Sequence, residues 1–204
     1  MDKLSTRRGS FWSSVMAAFF PSLNSSATWD REYTRGDWDR LDADSELGRY
    51  AIVLAHVCRQ VAKPAVLDVG CGPGRLLKML SRVDYEAYVG LDVSAEAVAR
   101  ARALELERSS FFVGFAEDFA NERRFDAIVF NEVMYYLKEP VDVAERYWGM
   151  LNDGGELVIS MYDCGPARSV WRRLKKRFDT VHAARVTNHL KHTWDVRVLK
   201  RNAA

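Results

Sequence analysis

Along the chain, short continuous apolar runs alternate with stretches whose apolar residues recur every three or four positions. The runs at 65–69, 87–91, 110–114, 125–130 and 156–161 predict strands. The stretches at 75–83, 95–107, 141–151 and 169–178 predict helices, and a short charged turn or helix fills the gap between the third and fourth strands. Asn152-Asp-Gly-Gly155 reads as a helix-ending turn. Two further strands, 180–186 and 193–199, have no helical crossover between them and are expected to be antiparallel neighbours. Upstream, Ser45 is expected to cap a helix running to Lys63, with Leu47, Tyr50, Ala51, Leu54, Val57, Cys58 and Val61 along its apolar stripe and Pro64 as its stop. The alternation predicts an α/β domain: a Rossmann-like, mostly parallel sheet with helices on both faces.

The pattern near the N-terminus differs. Phe11, Val15 and Phe19, with Trp12, Met16 and Phe20, form one broad apolar stripe that Pro21 ends, preceded by Lys3, Arg7 and Arg8. Three readings stand open: a lid or packing helix, a weak membrane-surface or partner-docking helix, and a targeting segment. No run approaches the ~20 apolar residues of a membrane span. Residues 22–28 read as a polar linker, and 29–41 as a charged segment rich in aromatic residues. The expected division is an N-terminal cap or lid over 1–44 and the main domain over 45–204.

Composition adds few constraints. Thirty basic and 28 acidic residues among 204 leave a net charge of +2, so nucleic acid is not the expected partner. Cys58, Cys71 and Cys164 are too widely spaced for a zinc site or a disulfide framework, which predicts reduced thiols, a cytoplasmic location and no metal. Aromatic residues make up 12% of the chain, many of them ahead of the predicted core.

The densest chemistry follows the first strand. Gly70, Gly72 and Gly74 stand at every second position, where they let the backbone turn tightly and approach a ligand. Dinucleotide loops space their glycines differently and cradle a pyrophosphate. Here Pro73 lacks an N–H, and Asp68 adds a carboxylate that repels phosphate, so a nucleoside carrying an amino-acid end fits better. A nicotinamide cofactor is correspondingly disfavoured. Asp92, at the end of the second strand, is placed to accept both ribose hydroxyl protons.

Four stretches, Leu67-Asp-Val-Gly-Cys-Gly-Pro-Gly74, Gly90-Leu-Asp92, Phe125-Asp-Ala-Ile-Val-Phe-Asn-Glu132 and Leu151-Asn-Asp-Gly-Gly-Glu-Leu157, carry a resemblance. From about residue 29 to 201 the chain resembles the class I S-adenosylmethionine-dependent methyltransferases. The resemblance implies a seven-stranded sheet with an antiparallel last strand, and S-adenosyl-L-methionine as cofactor with S-adenosyl-L-homocysteine as product. It implies that Asp68, Gly70, Cys71, Gly72 and Gly74 hold the methionine end, that Asp92 and Val93 hold the ribose, and that Asn131 adjoins the cofactor. The family often has an acidic residue after strand three, where this chain has Phe115. Contact with adenine then falls to Ala116 or Glu117. Asn131-Glu-Val-Met-Tyr-Tyr-Leu137 looks most like small methyltransferases related to the nodulation N-methyltransferases.

Methyl transfer from a sulfonium is an in-line displacement that mainly needs alignment and exclusion of water, with a base where the nucleophile arrives protonated. Glu132 and Tyr135 are the catalytic candidates. Tyr136, Asp163, Trp29, Tyr33 and Trp38 are candidates for contact with a small-molecule substrate accepting at N or O. No Asp/Asn-Pro-Pro-Tyr sequence points to amide methylation. The basic run Arg168, Arg172, Arg173, Lys175, Lys176 and Arg177 reads as the solvated face of a helix. As a docking surface it would suit an RNA or protein substrate. A protein that binds the cofactor without turnover is the remaining alternative.

Overall fold

A computed structural model describes residues 25–202, so the stripe at 11–20 lies outside the described residues. Helix α1 is Ser26–Thr34 and α2 is Leu47–Val57, with 3₁₀ turns at Asp39–Asp42 and Asp44–Glu46 between them. Then follow β1 (Ala65–Val69), α3 (Arg75–Leu80), β2 (Ala87–Asp92), α4 (Ala95–Arg102), β3 (Ser109–Val113) and β4 (Phe125–Asn131). A 3₁₀ turn at Met134–Tyr136 leads to α5 (Pro140–Trp148), β5 (Leu151–Tyr162), α6 (Gly165–Leu174), β6 (Phe178–Thr187) and β7 (Thr193–Arg201).

The strands form one seven-stranded sheet of order β3-β2-β1-β4-β5-β7-β6. The pairings among β1 to β5 are parallel, and β7 runs antiparallel to both β5 and β6, as expected for the final pair. All five residues of β1 are buried, which is why that run reads as continuous rather than alternating. Successive residues face opposite layers. Ile128 and Phe130 pack with Val143, Tyr147 and Trp171 of α5 and α6. Ala127 and Val129 pack with Val53, Leu77 and Val98 of α2, α3 and α4. Strand order reverses between β1 and β4, and ligands of such sheets bind outside the carboxyl ends at that switch point.

Several boundaries differ from the sequence expectation: the helix expected at 75–83 ends at Leu80, that at 95–107 ends at Arg102, and that at 169–178 is Gly165–Leu174, with Phe178 opening β6. The polar 22–28 stretch already contains the start of α1, because the Ser25 side chain caps it by accepting from Thr28 N–H. Helix α2 begins at Leu47 without a cap from Ser45 and ends at Val57. Its buried face is Arg49, Tyr50, Val53 and Val57, whereas Leu47 is 47% exposed and Ala51 is exposed. It stops early because Arg59 and Gln60 turn to donate to the buried Glu156 of β5. Residues 152–155 belong to β5 rather than to a helix-ending turn; α5 has already ended at its C-cap, Gly149.

Candidate functional site

A cavity of about 850 Å³ opens at the switch point, above the carboxyl ends of the parallel strands. The backbone after β1 turns upon itself, with Gly70 and Cys71 N–H groups both donating to the Leu91 carbonyl at 2.7 and 3.0 Å. Gly70 (φ +73) and Gly72 (φ +53) both occupy the left-handed region. A Cβ on Gly70 would collide with Val133, and one on Gly72 would lie 3.0 Å from the Tyr33 hydroxyl. The loop is therefore shaped for close approach on the side that Tyr33 covers.

Asp92 forms the next part of the wall. Its Oδ2 accepts from Gly72 N–H at 2.8 Å and its Oδ1 from Ser94 N–H at 2.9 Å. Burial raises its pKa to about 6, against the effect of those backbone donors. Asp68 is buried within β1 and does not line the cavity. Its Oδ2 accepts from the Tyr88 hydroxyl at 2.6 Å, while Oδ1 has no hydrogen-bond partner. Burial lifts its pKa to about 7, opposed by the Tyr88 hydrogen bond. Gly74 also stands back from the cavity, as the left-handed N-cap of α3.

After β3, the side of the cavity is formed by Phe115, which is 43% exposed, with Ala116 and Glu117. The Ala116 carbonyl already accepts from Arg146 and from the Tyr147 hydroxyl, and the Glu117 carbonyl from Arg146. These ties fix the loop; Ala116 and Glu117 face the cavity with carbonyls that are already engaged.

The inner end is built by β4 and the turn beyond it. Glu132 is held at φ +67, a left-handed conformation that costs a non-glycine residue roughly 1–3 kcal/mol and is kept where surrounding contacts over-determine it. Those contacts are its N–H to the Ser160 carbonyl at 2.9 Å, and donors to its carboxylate from Tyr135 Oη (2.7 Å), Tyr162 N–H (3.2 Å) and Ser160 Oγ (3.3 Å). Burial raises the Glu132 pKa, while nearby Arg49 opposes the rise. The two catalytic candidates, Glu132 and Tyr135, are thus directly hydrogen-bonded. Tyr136 turns the other way, its ring 4.8 Å from that of Tyr135 and edge-on to Trp29 at 5.1 Å. Trp29 lies 5.4 Å from Trp38, and Trp38 lies 6.2 Å from Tyr33, so an aromatic wall runs from the glycine loop to Glu132.

Asp163 does not belong to this group. It pairs with Arg168 at 2.6 Å and Arg185 at 3.3 Å, away from the cavity lining. Among the lining residues that the sequence reading missed are Arg40, Glu46, Arg49, Tyr50 and Trp194. Arg49 is 1% exposed, paired with Glu46 at 2.8 Å, hydrogen-bonded to Asn131, and packed 4.5 Å from the Tyr50 ring and 5.5 Å from that of Trp194. An arginine inside an apolar helical stripe was the available signal. Among the described residues, no group of three His, Cys, Asp or Glu is placed to hold a metal, and no helix is long and apolar enough to cross a membrane.

A family model described as a methyltransferase domain matches residues 16–201. The chain belongs to that family, within the class I S-adenosylmethionine-dependent methyltransferases, whose cofactor is S-adenosyl-L-methionine. It is 33% identical over 132 residues to a trans-aconitate 2-methyltransferase of Methylobacterium radiotolerans, a match covering 64% of this chain and 48% of that protein. It is 33% identical over 121 residues to a ubiquinone biosynthesis O-methyltransferase of Xanthomonas campestris pv. campestris, covering 56% and 50%. The matched segments span about half the length of these curated relatives. Among solved structures, the N-methyltransferase NodS of Bradyrhizobium japonicum WM9, in complex with S-adenosyl-L-homocysteine, superposes with a TM-score of 0.70 at 22% identity, over 82% of this chain and 92% of that one. Magnesium protoporphyrin IX methyltransferase of Synechocystis PCC 6803, with bound S-adenosylmethionine, gives 0.67 at 14% identity, over 87% and 98%.

Proposed function

We propose that this protein transfers a methyl group to a nitrogen or oxygen atom of a small-molecule substrate, with Glu132 as the group that takes up the acceptor's proton. One observation carries the reading: a single cavity joins the glycine turn and Asp92 to a buried carboxylate held by three donors, with aromatic rings spanning the distance between them. When bound, the cofactor supplies a methyl group on a sulfonium, transferred by in-line displacement. Asp92 holds the ribose through the oxygens that now accept from Gly72 and Ser94, with Val93 beside it. Gly70, Cys71 and Gly72 receive the amino-acid end, with Gly74 starting the helix behind them. The unpartnered Asp68 Oδ1 backs the loop with a carboxyl group that a bound cationic ligand would draw into its ionised form. Ala116 and Glu117 adjoin the adenine, and Asn131, fixed by Arg49, borders the methyl-transfer point.

Tyr135 orients the Glu132 carboxylate, and the raised pKa of that carboxylate makes it a better proton acceptor than an exposed one. Trp29, Tyr33, Trp38 and Tyr136 exclude water and pack against the substrate. Residues 1–44 act as a cap on a methyltransferase domain at 45–204. The relatives are named for trans-aconitate and for ubiquinone biosynthesis, and NodS is an N-methyltransferase, so acceptor chemistry is read from the site itself.

The test is to incubate the protein with cofactor carrying an isotopically labelled methyl group and fractionated small-molecule extract, bulk RNA or bulk protein, and to follow the label by mass spectrometry. Label is expected in a metabolite fraction. Glu132→Gln should lower kcat by about 10²-fold or more while leaving cofactor affinity within about threefold, the pattern of a lost proton acceptor. Label only in RNA or protein, or a fully active Glu132→Gln enzyme, would overturn the respective assignment.

A further inference from the structure

The aromatic wall lies mostly on α1 and the turn after it, which are not part of the sheet and must be held over the cavity by something. Tyr33 and Trp38 pack on Ala97 of α4, and hydrogen bonds fix the register of that contact. Asp30 of α1 accepts from Ser94 Oγ at 2.7 Å and from Glu96 N–H at 3.2 Å, so its carboxylate sits on the amino end of α4, where unpaired N–H groups and the helix dipole favour an anion. Ser94 is engaged on both sides: its N–H donates to Asp92, its Oγ to Asp30. One residue is therefore the joint between the ribose carboxylate and the covering helix. Further along α4, Arg100 donates to the Tyr33 carbonyl at 2.8 Å, pairs with Glu96 at 2.8 Å and reaches Asp39 at 3.3 Å. Tyr33 is the residue whose hydroxyl stands over Gly72.

From this geometry we infer that Asp30 and Arg100 are positioning residues that clasp α1 to α4 across the cofactor site, setting how fast the spent cofactor leaves and holding Trp29, Tyr33 and Trp38 against the acceptor. The inference rests on the methyltransferase reading. With the clasp closed, Tyr33 stands over the glycine loop beside Asp92, so a ligand spanning the two is covered on that side by α1. Asp30 and Arg100 act at opposite ends of the α1–α4 contact, so either one can be weakened while the other end holds. Neither lines the cavity, so their effect on binding is exerted through α1.

The experiment is stopped-flow release of S-adenosyl-L-homocysteine, read from the fluorescence of the cap tryptophans, for the wild type, Asp30→Asn and Arg100→Met. Each variant should release the ligand about tenfold faster, the equivalent of one charge-assisted hydrogen bond lost across the contact, and raise KM for both the cofactor and the acceptor. Two rival roles give other results. Were Asp30 only a structural cap for α4, thermal stability would fall with the release rate unchanged. Were Asp30 acting only through its charge beside Asp92, removing that charge would favour ionised Asp92 and slow release. Either result overturns the clasp. Arg100→Met removes the contact with the Tyr33 carbonyl and the pair with Glu96 but leaves Asp30 on Ser94 Oγ, so a poorly folded Asp30→Asn protein leaves the test intact. Absence of any S-adenosyl-L-homocysteine binding to the wild type by calorimetry would instead sink the methyltransferase reading itself.

Discussion

Asp68 and Asp92 are both buried, and burial raises their pKa values to about 7 and about 6. The folded state thus favours their protonated forms. Their contribution to stability is complete below the unfolded carboxyl pKa of about 4 and is lost as pH rises through 6 and 7. The ligand-free protein should therefore show a falling Tm between pH 5 and pH 8 by scanning fluorimetry. Asp68→Asn, which keeps the shape without the charge, should flatten the upper part of that fall. Added S-adenosylmethionine should act in the opposite direction, raising Tm more at pH 8 than at pH 5, because its sulfonium and ammonium groups favour ionised carboxylates around them. A wild-type Tm flat across this window, or an Asp68→Asn protein with the full slope, would contradict the assignment of strained buried charge to this pair.

Helix α2 illustrates how an element can be legible in outline and incomplete in its inner face. Of the expected stripe, Tyr50 and Val57 are buried and Leu54 and Cys58 pack against the core, whereas Leu47 and Ala51 are exposed. The true face includes Arg49, whose charge is compensated by Glu46 one turn back and by Asn131, 82 residues away in sequence. No local pattern carries the second of those contacts. Removing Arg49 leaves Glu46, 4% exposed, without its counter-charge. Arg49→Met should accordingly cost roughly 3–5 kcal/mol in chemical denaturation, with part of the loss recovered in Arg49→Met/Glu46→Gln. A loss below about 1 kcal/mol would place the pair among weak surface bridges instead. The same limit on local reading applies at residues 152–155, where turn-forming residues sit inside β5 because Phe125 pairs with Leu151 across a register shift. The glycine loop and Asp92 were legible because their chemistry is sequential. The Glu132–Tyr135 pair was nameable but its hydrogen bond was not, since the left-handed Glu132 that allows it depends on β5.

At the scale of the molecule, the open question is whether the exposed basic face of α6 serves the site. Its buried side, Ala167, Val170, Trp171 and Leu174, is anchored in the core beside α5. Three of the charges on and just beyond the helix already have acidic partners: Arg168 with Asp163, Arg173 with Glu139 and Arg177 with Glu145. A nucleic-acid surface needs cations available to displace phosphate counterions, and each such contact steepens the salt dependence of binding by about one unit of slope. Paired arginines on a solvated face supply little of that, while the cavity walled by Trp29, Trp38 and Tyr136 suits a compact partner. On the proposed small-molecule reading, replacing the exposed Arg172, Lys175 and Lys176 together by Gln should change kcat/KM by less than about twofold, with the same weak dependence on salt between 50 and 200 mM as the wild type. A macromolecular substrate predicts the opposite: a steep loss with salt in the wild type, and a shallower slope with much weaker binding once the three charges are gone.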